Sequence, residues 1–339
     1  MKRASLIFMF CAVLLAFGAG WLARAYMPAG AFVPVDPVLR SQRHDYKYVS
    51  PLLTCGTWEE KGFDNFRRLR RDVENYVIDA TAEGRAKQVG VYFRELKSGR
   101  GFGLNENAAF SPASLLKVPV MIAYLKSAEK NPELLTRDIP FGGGFDLDKI
   151  RNFSTANIIS PGTSYKADDL LAAMIVNSDN NAIPLLEKNI SPAALAEVFT
   201  DIGLPPVDDT PGKDFISPKS YSYFFRLLYN ATYLSEEFSE KALGLLAKAD
   251  FPQGLPSTVP AGITVAHKYG ERSLSVNNVL QYRELHDCGI VYADNPYLLC
   301  IMTKGENFDD LLHVIQGVGS MIYSTFSRSQ SAENGVQSH

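Results

Sequence analysis

Residues able to do covalent chemistry first gather at Ser111-Pro112-Ala113-Ser114-Leu115-Leu116-Lys117-Val118-Pro119-Val120, where a polar turn enters an apolar helical run. Ser114 stands where the loop pattern stops and Leu115, Leu116, Val118, Met121, Ile122, Tyr124 and Leu125 begin a buried helix, so its hydroxyl is expected at a helix N-terminus. That end carries partial positive charge. Lys117 follows at i+3 on the same face, with Cβ atoms roughly 5–6 Å apart. The amine can then meet the hydroxyl, and desolvation in an apolar helix favours the neutral amine that a general base requires. A serine with a base one turn away is the S-x-x-K arrangement of nucleophilic catalysis. Alone, the same four residues also describe an N-cap serine beside a snorkelling lysine.

The elements that must position this pair follow from the pattern on either side. Phe63, Phe66, Leu69, Val73, Tyr76, Val77 and Ala80 recur at helical steps between Trp58 and about Lys87, with Gly84 as the stop. Residues 89–96 and 101–105 read as a hairpin around Lys97-Ser98-Gly99-Arg100. The stretch 131–164, with Gly142-Gly143-Gly144, reads as a surface excursion with little regular structure. Helices are expected at 170–176, 193–202, 217–234 and 236–249, and strands at 263–270, 286–292 and 297–304. A closing helix carries Phe308 to Ile322, and the tail from Ser327 reads as disordered. Two early strands, a helical block, three late strands and a final helix describe an α/β sandwich. Its mainly antiparallel sheet is formed by both ends of the domain.

The chain has 339 residues, 46% hydrophobic and 21% charged, with net charge −3, which suits a globular enzyme. No polybasic run marks it as a nucleic-acid binder. Lys2-Arg3 precede an uncharged stretch from Ala4 to Leu22 that reads as an export segment within residues 1–25. It is either an uncleaved anchor in the cytoplasmic membrane, the favoured reading, or a signal peptide cut at Ala23-Arg24-Ala25. Residues 26–57 read as a proline-rich linker, residues 58–326 as the domain and 327–339 as the tail. The domain is expected outside the cytoplasm. No His/Cys grouping has metal-ligand spacing, so neither metal nor cofactor is expected.

Ser114-Leu115-Leu116-Lys117, Ser178-Asp179-Asn180 and Lys268-Tyr269-Gly270 occur in that order, at a helix start, an inter-helix loop and a late strand. Together they resemble the S-x-x-K, S-D-N and K-T-G triplet of the class A β-lactamase and penicillin-binding-protein superfamily, over residues 58–326. The resemblance implies a β-lactamase-like sandwich with a helical subdomain, and a β-lactam or D-alanyl cell-wall peptide as substrate. It implies Ser114 as nucleophile, Lys117 as its base and Ser178 as proton relay to the leaving nitrogen. Asn180 and Lys268 would bind substrate, Gly270 would let it lie against the strand edge, and the backbone N–H groups of Ser114 and Glu271 would form the oxyanion hole. Asp179 is implied to be structural.

Two departures bear on activity. Tyr269 stands where the family has threonine or serine, so carboxylate binding falls to Arg272 unless that arginine is a surface residue. The glutamate that activates the deacylating water in class A enzymes has no counterpart: Thr200 to Phe215 offers only Asp201, Asp208, Asp209 and Asp214. Slow release of β-lactam acyl groups is expected. A serine glutaminase-like amidase and a catalytically retired binding domain are the alternative functions. Cys288 and Cys300 face each other across the last hairpin, as a disulfide or as two buried thiols. His267 is expected to pack inward or donate locally. The sequence leaves the oligomeric state open.

Overall fold

The computed structural model describes residues 46–51, 66–148, 152–153, 159–205, 207 and 213–336. The export segment and most of the linker lie outside them. So do Trp58 to Asn65, the start expected for the first helix.

Helix α1 (Arg67–Ala82) buries Leu69, Val73, Val77 and Ala80. It leads into β1 (Gln88–Glu95) and β2 (Gly101–Leu104). A 3-10 turn (Ala113–Leu116) runs into α2 (Lys117–Lys130), which is apolar nearly all round. Next come α3 (Glu133–Thr136), β3 (Asp138–Phe141), β4 (Thr163–Lys166), α4 (Ala167–Val176), α5 (Ala182–Glu187) and α6 (Ala194–Asp201). Helices α7 (Pro218–Asn230) and α8 (Glu236–Leu246) are N-capped by Ser217 and Ser235. Strands β5 (Thr264–Val276), β6 (Val279–Tyr292) and β7 (Tyr297–Gly305) precede α9 (Phe308–Val336).

The five-stranded sheet has the order β2-β1-β7-β6-β5, and every pairing is antiparallel. Both ends of the domain therefore build it, as the sequence pattern requires. One face packs on the helical block through Ala266, Cys288, Ile290, Leu298, Cys300 and Met302. The other takes α1 and α9 through Val91, Phe93, Leu285, Ile301, Leu311, Ile315 and Ile322. Alternation along β5 divides its residues accordingly: Lys268, Gly270 and Arg272 share the face of Ala266.

Four sequence expectations change. The stretch 131–164 contains α3 and a two-stranded sheet, because Asp138-Ile139-Pro140-Phe141 alternates exposed with buried against β4. The hairpin β5–β6 extends past Gly270 to a turn at Asn277 and Asn278, whose φ of 51° and 62° suits a tight two-residue hairpin loop. Helix α9 continues through Val336, since no proline or glycine stands between Ile322 and Gly335 to stop a helix already seeded by the packed Leu311–Ile322 segment. Residues 46–51, inside the expected linker, are docked on the domain: Val49 is buried, and Ser50 N–H donates to Tyr229 O at 2.7 Å.

That docking depends on one carboxylate. Glu240 of α8 accepts the backbone N–H groups of Lys47, Tyr48 and Val49 at 2.7, 2.8 and 2.9 Å. Hydrogen bonds to a charged acceptor contribute about 1.5–3 kcal/mol each. Glu240→Ala should release the segment and speed tryptic cleavage after Lys47 by at least roughly tenfold, while the far-ultraviolet circular dichroism stays native. Unchanged cleavage would show that Tyr48 and Val49 packing holds the segment alone.

Candidate active site

Three chain segments converge on one nitrogen. Lys117 Nζ lies 2.9 Å from Ser114 Oγ, 2.6 Å from Ser178 O, 3.0 Å from Ser178 Oγ and 2.6 Å from Asn180 Oδ1. Ser178 Oγ also accepts from Lys268 Nζ at 2.9 Å. Lys117 is 1% exposed and Lys268 fully buried. The expected nucleophile, base, relay and substrate lysine thus form one continuous hydrogen-bonded chain.

The local backbone explains how. Ser114 lies inside the 3-10 turn, and the α-helix proper starts three residues later at Lys117 than the sequence suggests. Ala113 has φ +48° and Ser178 φ +54°, left-handed conformations that non-glycine residues adopt at a cost of order 1–3 kcal/mol. Both are held by surrounding bonds. Tyr221 OH, fully buried on α7 and with its pKa pushed well up by desolvation, donates to Leu115 O at 3.0 Å. Asp179 Oδ1 accepts from Asn181 N (2.8 Å) and Ala182 N (3.2 Å), and its Oδ2 from Ile159 N (3.0 Å), the structural part the resemblance implied. Burial first, and then Asp148, raises its pKa. Asp148 was not singled out by sequence. It accepts from Asn180 N at 3.1 Å and Asn181 Nδ2 at 3.2 Å, and Asn180 Nδ2 donates to Leu147 O at 3.2 Å. This orients Asn180 so that its Oδ1 faces Lys117.

Gly270 also stands where a side chain would not fit. A Cβ there would stand 2.9 Å from Pro112 O and 3.1 Å from Leu115 Cγ, so its lack of a side chain lets β5 press against the turn that carries Ser114. Glu271 and Ser114 border one polar pocket of about 210 Å³, with Ser178, Asn180 and Arg272. The Glu271 carboxylate accepts from Asn152 N and Phe153 N, ordering that rim. Tyr269 is buried: its ring stacks on Phe251 with centroids 4.1 Å apart and lies 4.3 Å from Lys268 Nζ. It supports the lysine as a cation–π partner. Arg272 belongs to the site, donating to Ser111 Oγ at 2.6 Å.

The start of the nucleophile loop is tethered by residues no motif marks. Ser111 N–H donates to the buried Glu284 carboxylate at 3.3 Å, and Arg272, Glu284 and Lys304 are register partners across β5, β6 and β7. Lys304 pairs with Glu284 at 3.3 Å and with Asp214 at 2.5 Å. Desolvation raises the Glu284 pKa against the opposing effect of Lys304. His286 Nδ1 accepts from Thr303 N–H at 3.2 Å, which assigns the proton to Nε2 for donation to Ser111 O at 2.9 Å. His267 Nδ1 lies 2.8 Å from Asp287 on the sheet's other face, remote from the serine pair. Cys288 and Cys300 form a disulfide, in register with Lys268. Among the described residues no group of His, Cys, Asp or Glu could hold a metal ion.

A family model described as "Beta-lactamase enzyme family" matches residues 68–326. The chain belongs to that family. It is a serine hydrolase of the β-lactamase and penicillin-binding type. Among solved structures it is similar to a mutant of PBP-A in acyl-enzyme complex with penicillin G: 22% identity, TM-score 0.63, covering 77% of this chain and 97% of that one. A class A β-lactamase from Mycobacterium abscessus gives 18% identity and TM-score 0.63 over 75% and 99%. A β-lactamase from Chitinophaga pinensis gives 21% identity and TM-score 0.62 over 75% and 99%. These likenesses establish the shared fold. No curated protein matches the chain.

The Ser111 tether has a pH signature. Burial lowers the His286 pKa to about 4, below its unfolded value near 6.5. Its neutral form therefore contributes stability above pH 6.5, and that contribution is lost as the pH falls towards 4. About 2.5 units correspond to on the order of 3 kcal/mol. Urea unfolding between pH 7 and pH 4 should cost the wild type about that much more than His286→Gln, in which this titration is absent. Glu284 acts in the opposite sense in both proteins and cancels in the comparison. Parallel losses would rule out His286 as the acid-sensitive tether.

Proposed function

We propose that the chain is an extracytoplasmic, membrane-tethered acyl-hydrolase or acyl-transferase that forms an acyl-enzyme at Ser114 with β-lactams or D-alanyl cell-wall peptides and releases β-lactam acyl groups slowly. The observation that carries this is the unbroken path Ser114 Oγ, Lys117 Nζ, Ser178 Oγ, Lys268 Nζ, with steps of 2.9, 3.0 and 2.9 Å. A neutral Lys117 amine has two N–H groups and one lone pair. Its shortest partners, Ser178 O and Asn180 Oδ1, can only accept, so they take the two hydrogens. The lone pair is left facing the hydroxyls, placed to remove the Ser114 proton as Oγ attacks the carbonyl carbon. Collapse of the tetrahedral species breaks the C–N bond. Ser178 gives its proton to the departing nitrogen and is reprotonated from the lysine side.

Arg272, beside Ser114 in the polar pocket, is placed to receive the substrate carboxylate that Tyr269 cannot bind. Release of the acyl group needs a base for water. Of the aspartates between Thr200 and Phe215, Asp201 accepts from Tyr233 OH and Asp214 is paired with Lys304, while Asp208 and Asp209 lie outside the described residues. Lacking a positioned base costs on the order of 10²–10⁴ in rate. The acyl-enzyme named for PBP-A with penicillin G supports a β-lactam as acyl donor. Location outside the cytoplasm is supported by the Cys288–Cys300 disulfide and by the apolar N-terminal run, which lies outside the described residues. No described helix is long and apolar enough to cross a membrane.

Intact-mass spectrometry after incubation with a penicillin tests the reading. The wild type should gain one penicillin mass and keep it for many minutes, and Ser114→Ala should gain none. An adduct on Ser114→Ala would refute the assignment, and rapid β-lactam turnover without a burst would refute slow deacylation.

A further inference from the structure

The chain enters the domain at the end of the sheet that carries the β6–β7 turn. Tyr48 of the docked 46–51 segment packs edge-on against Tyr292, the last residue of β6, with ring centroids 5.4 Å apart. On the other face of the sheet, Phe66, just before α1, stands 5.3 Å from Phe93 and 6.1 Å from Phe326. Both of those rings lie 5.5 Å from Tyr297, the first residue of β7. The first turn of α1 is therefore at that same end. In the sequence, residues 26–45 alone separate the docked segment from the expected export segment.

That turn of α1 is strongly basic. Arg67, Arg68, Arg70 and Arg71 are all exposed, and at about 100° per residue they fill an arc of about 160° opposite the buried Leu69. Arg67 neighbours Arg70 and Arg71, and Arg68 neighbours Arg71, at the spacings where like charges destabilise a helix. The first turn holds no acidic residue and is the end at which the helix dipole disfavours cations. Asp72 stands 4.0 Å from Arg68, while Arg70 and Arg71 meet no carboxylate among the described residues. Lys47 and Lys97 are exposed at the same end, against Glu74 and Asp294 on the acidic side. At the opposite end of the sheet the cations are paired instead: Lys87 with Glu306 at 2.8 Å, Arg85 with Glu83 at 2.7 Å, and Lys304 with Glu284 and Asp214. Arginines kept where the helix and one another oppose them are placed for an anion outside the fold.

We propose that this end of the domain docks on the anionic lipid headgroups of the membrane that carries the chain, with the α1 arginines on the phosphates. The proposal rests on the reading of the N-terminal apolar run as a membrane tether, which keeps the patch close to the lipid. Guanidinium groups take phosphate oxygens in pairs, and each cation near an anionic surface strengthens docking roughly fivefold. Docking also sets the height of the active site. Lys268 lies four residues along β5 from Thr264, the register partner of Tyr292, on the order of 13 Å from this end at about 3.3 Å per residue. Acyl donors are then met at a fixed short distance from the lipid surface.

The test uses the full chain reconstituted in vesicles of phosphatidylcholine, alone or with one-third phosphatidylglycerol. Phenylglyoxal modifies exposed arginines, and peptide mass spectrometry reads the rate at each. In the anionic vesicles Arg67, Arg68, Arg70 and Arg71 should react at least roughly threefold more slowly, and salt at ~1 M should restore their rates. Arg283, at the opposite end of β6, should react alike in both. The variant Arg70→Gln/Arg71→Gln should dock roughly 30-fold more weakly, returning Arg67 and Arg68 to their rates in neutral vesicles. Equal rates in both vesicles, with the chain still held after an alkaline wash, would overturn the docking and leave the tether standing. Loss of the chain in that wash would overturn the tether and the docking with it. Protection by soluble heparin in neutral vesicles, with none from phosphatidylglycerol, would mean that the arginines serve a soluble polyanion, and the lipid proposal would fall.

Discussion

The structure depends on keeping one buried amine, Lys117 Nζ, coordinated by oxygens from segments far apart in the chain. Taking a lysine out of water is expensive unless polar partners replace the solvent. Here four oxygens stand within 3.0 Å, from the Ser114 turn and the Ser178–Asn180 loop. Lys268 meets the same Ser178 hydroxyl from β5, and two ammonium groups sharing one oxygen repel. That repulsion favours a state in which one amine is neutral, which is the state a proton relay uses. The close approach of β5 at Gly270, the left-handed Ala113 and Ser178, and the bonds of Asp179 and Asp148 all serve to hold these three segments together.

Much of this was legible in the sequence because its signals are local. Ser114 and Lys117 announce themselves by helical spacing, Ser178-Asp179-Asn180 by polar residues between apolar helices, and Lys268 by its place in a strand. That both ends of the domain build one mainly antiparallel sheet followed from strands on either side of a helical block, while the strand order did not. What stayed hidden depends on register or on distant partners. The Arg272–Glu284–Lys304 row exists only because β5, β6 and β7 pair as they do, and nothing local in those strands connects it to Ser111. Asp148 sits in a stretch whose loop composition masked both a small sheet and the strap on Asn180. The docking of residues 46–51 needs Glu240, nearly two hundred residues away, and the union of Cys288 with Cys300 was one of two readings that spacing allowed. Gly270 was recognised, but its close packing on the turn that carries Ser114 was not, since a motif shows that a side chain is absent and not what fills the space.

The central claim is that Ser114, Lys117, Ser178 and Lys268 act as one device and not as four separate aids. Groups that act as a unit are non-additive: once one is gone, removing another costs little more. The direct measurement is the rate of β-lactam acylation in Lys117→Ala, in Ser178→Ala and in the double variant, followed by mass of the Ser114 adduct. The account expects the double variant to be no more than a few-fold slower than the slower single variant. Losses that multiply would contradict it, and would mean that the two side chains assist the serine independently.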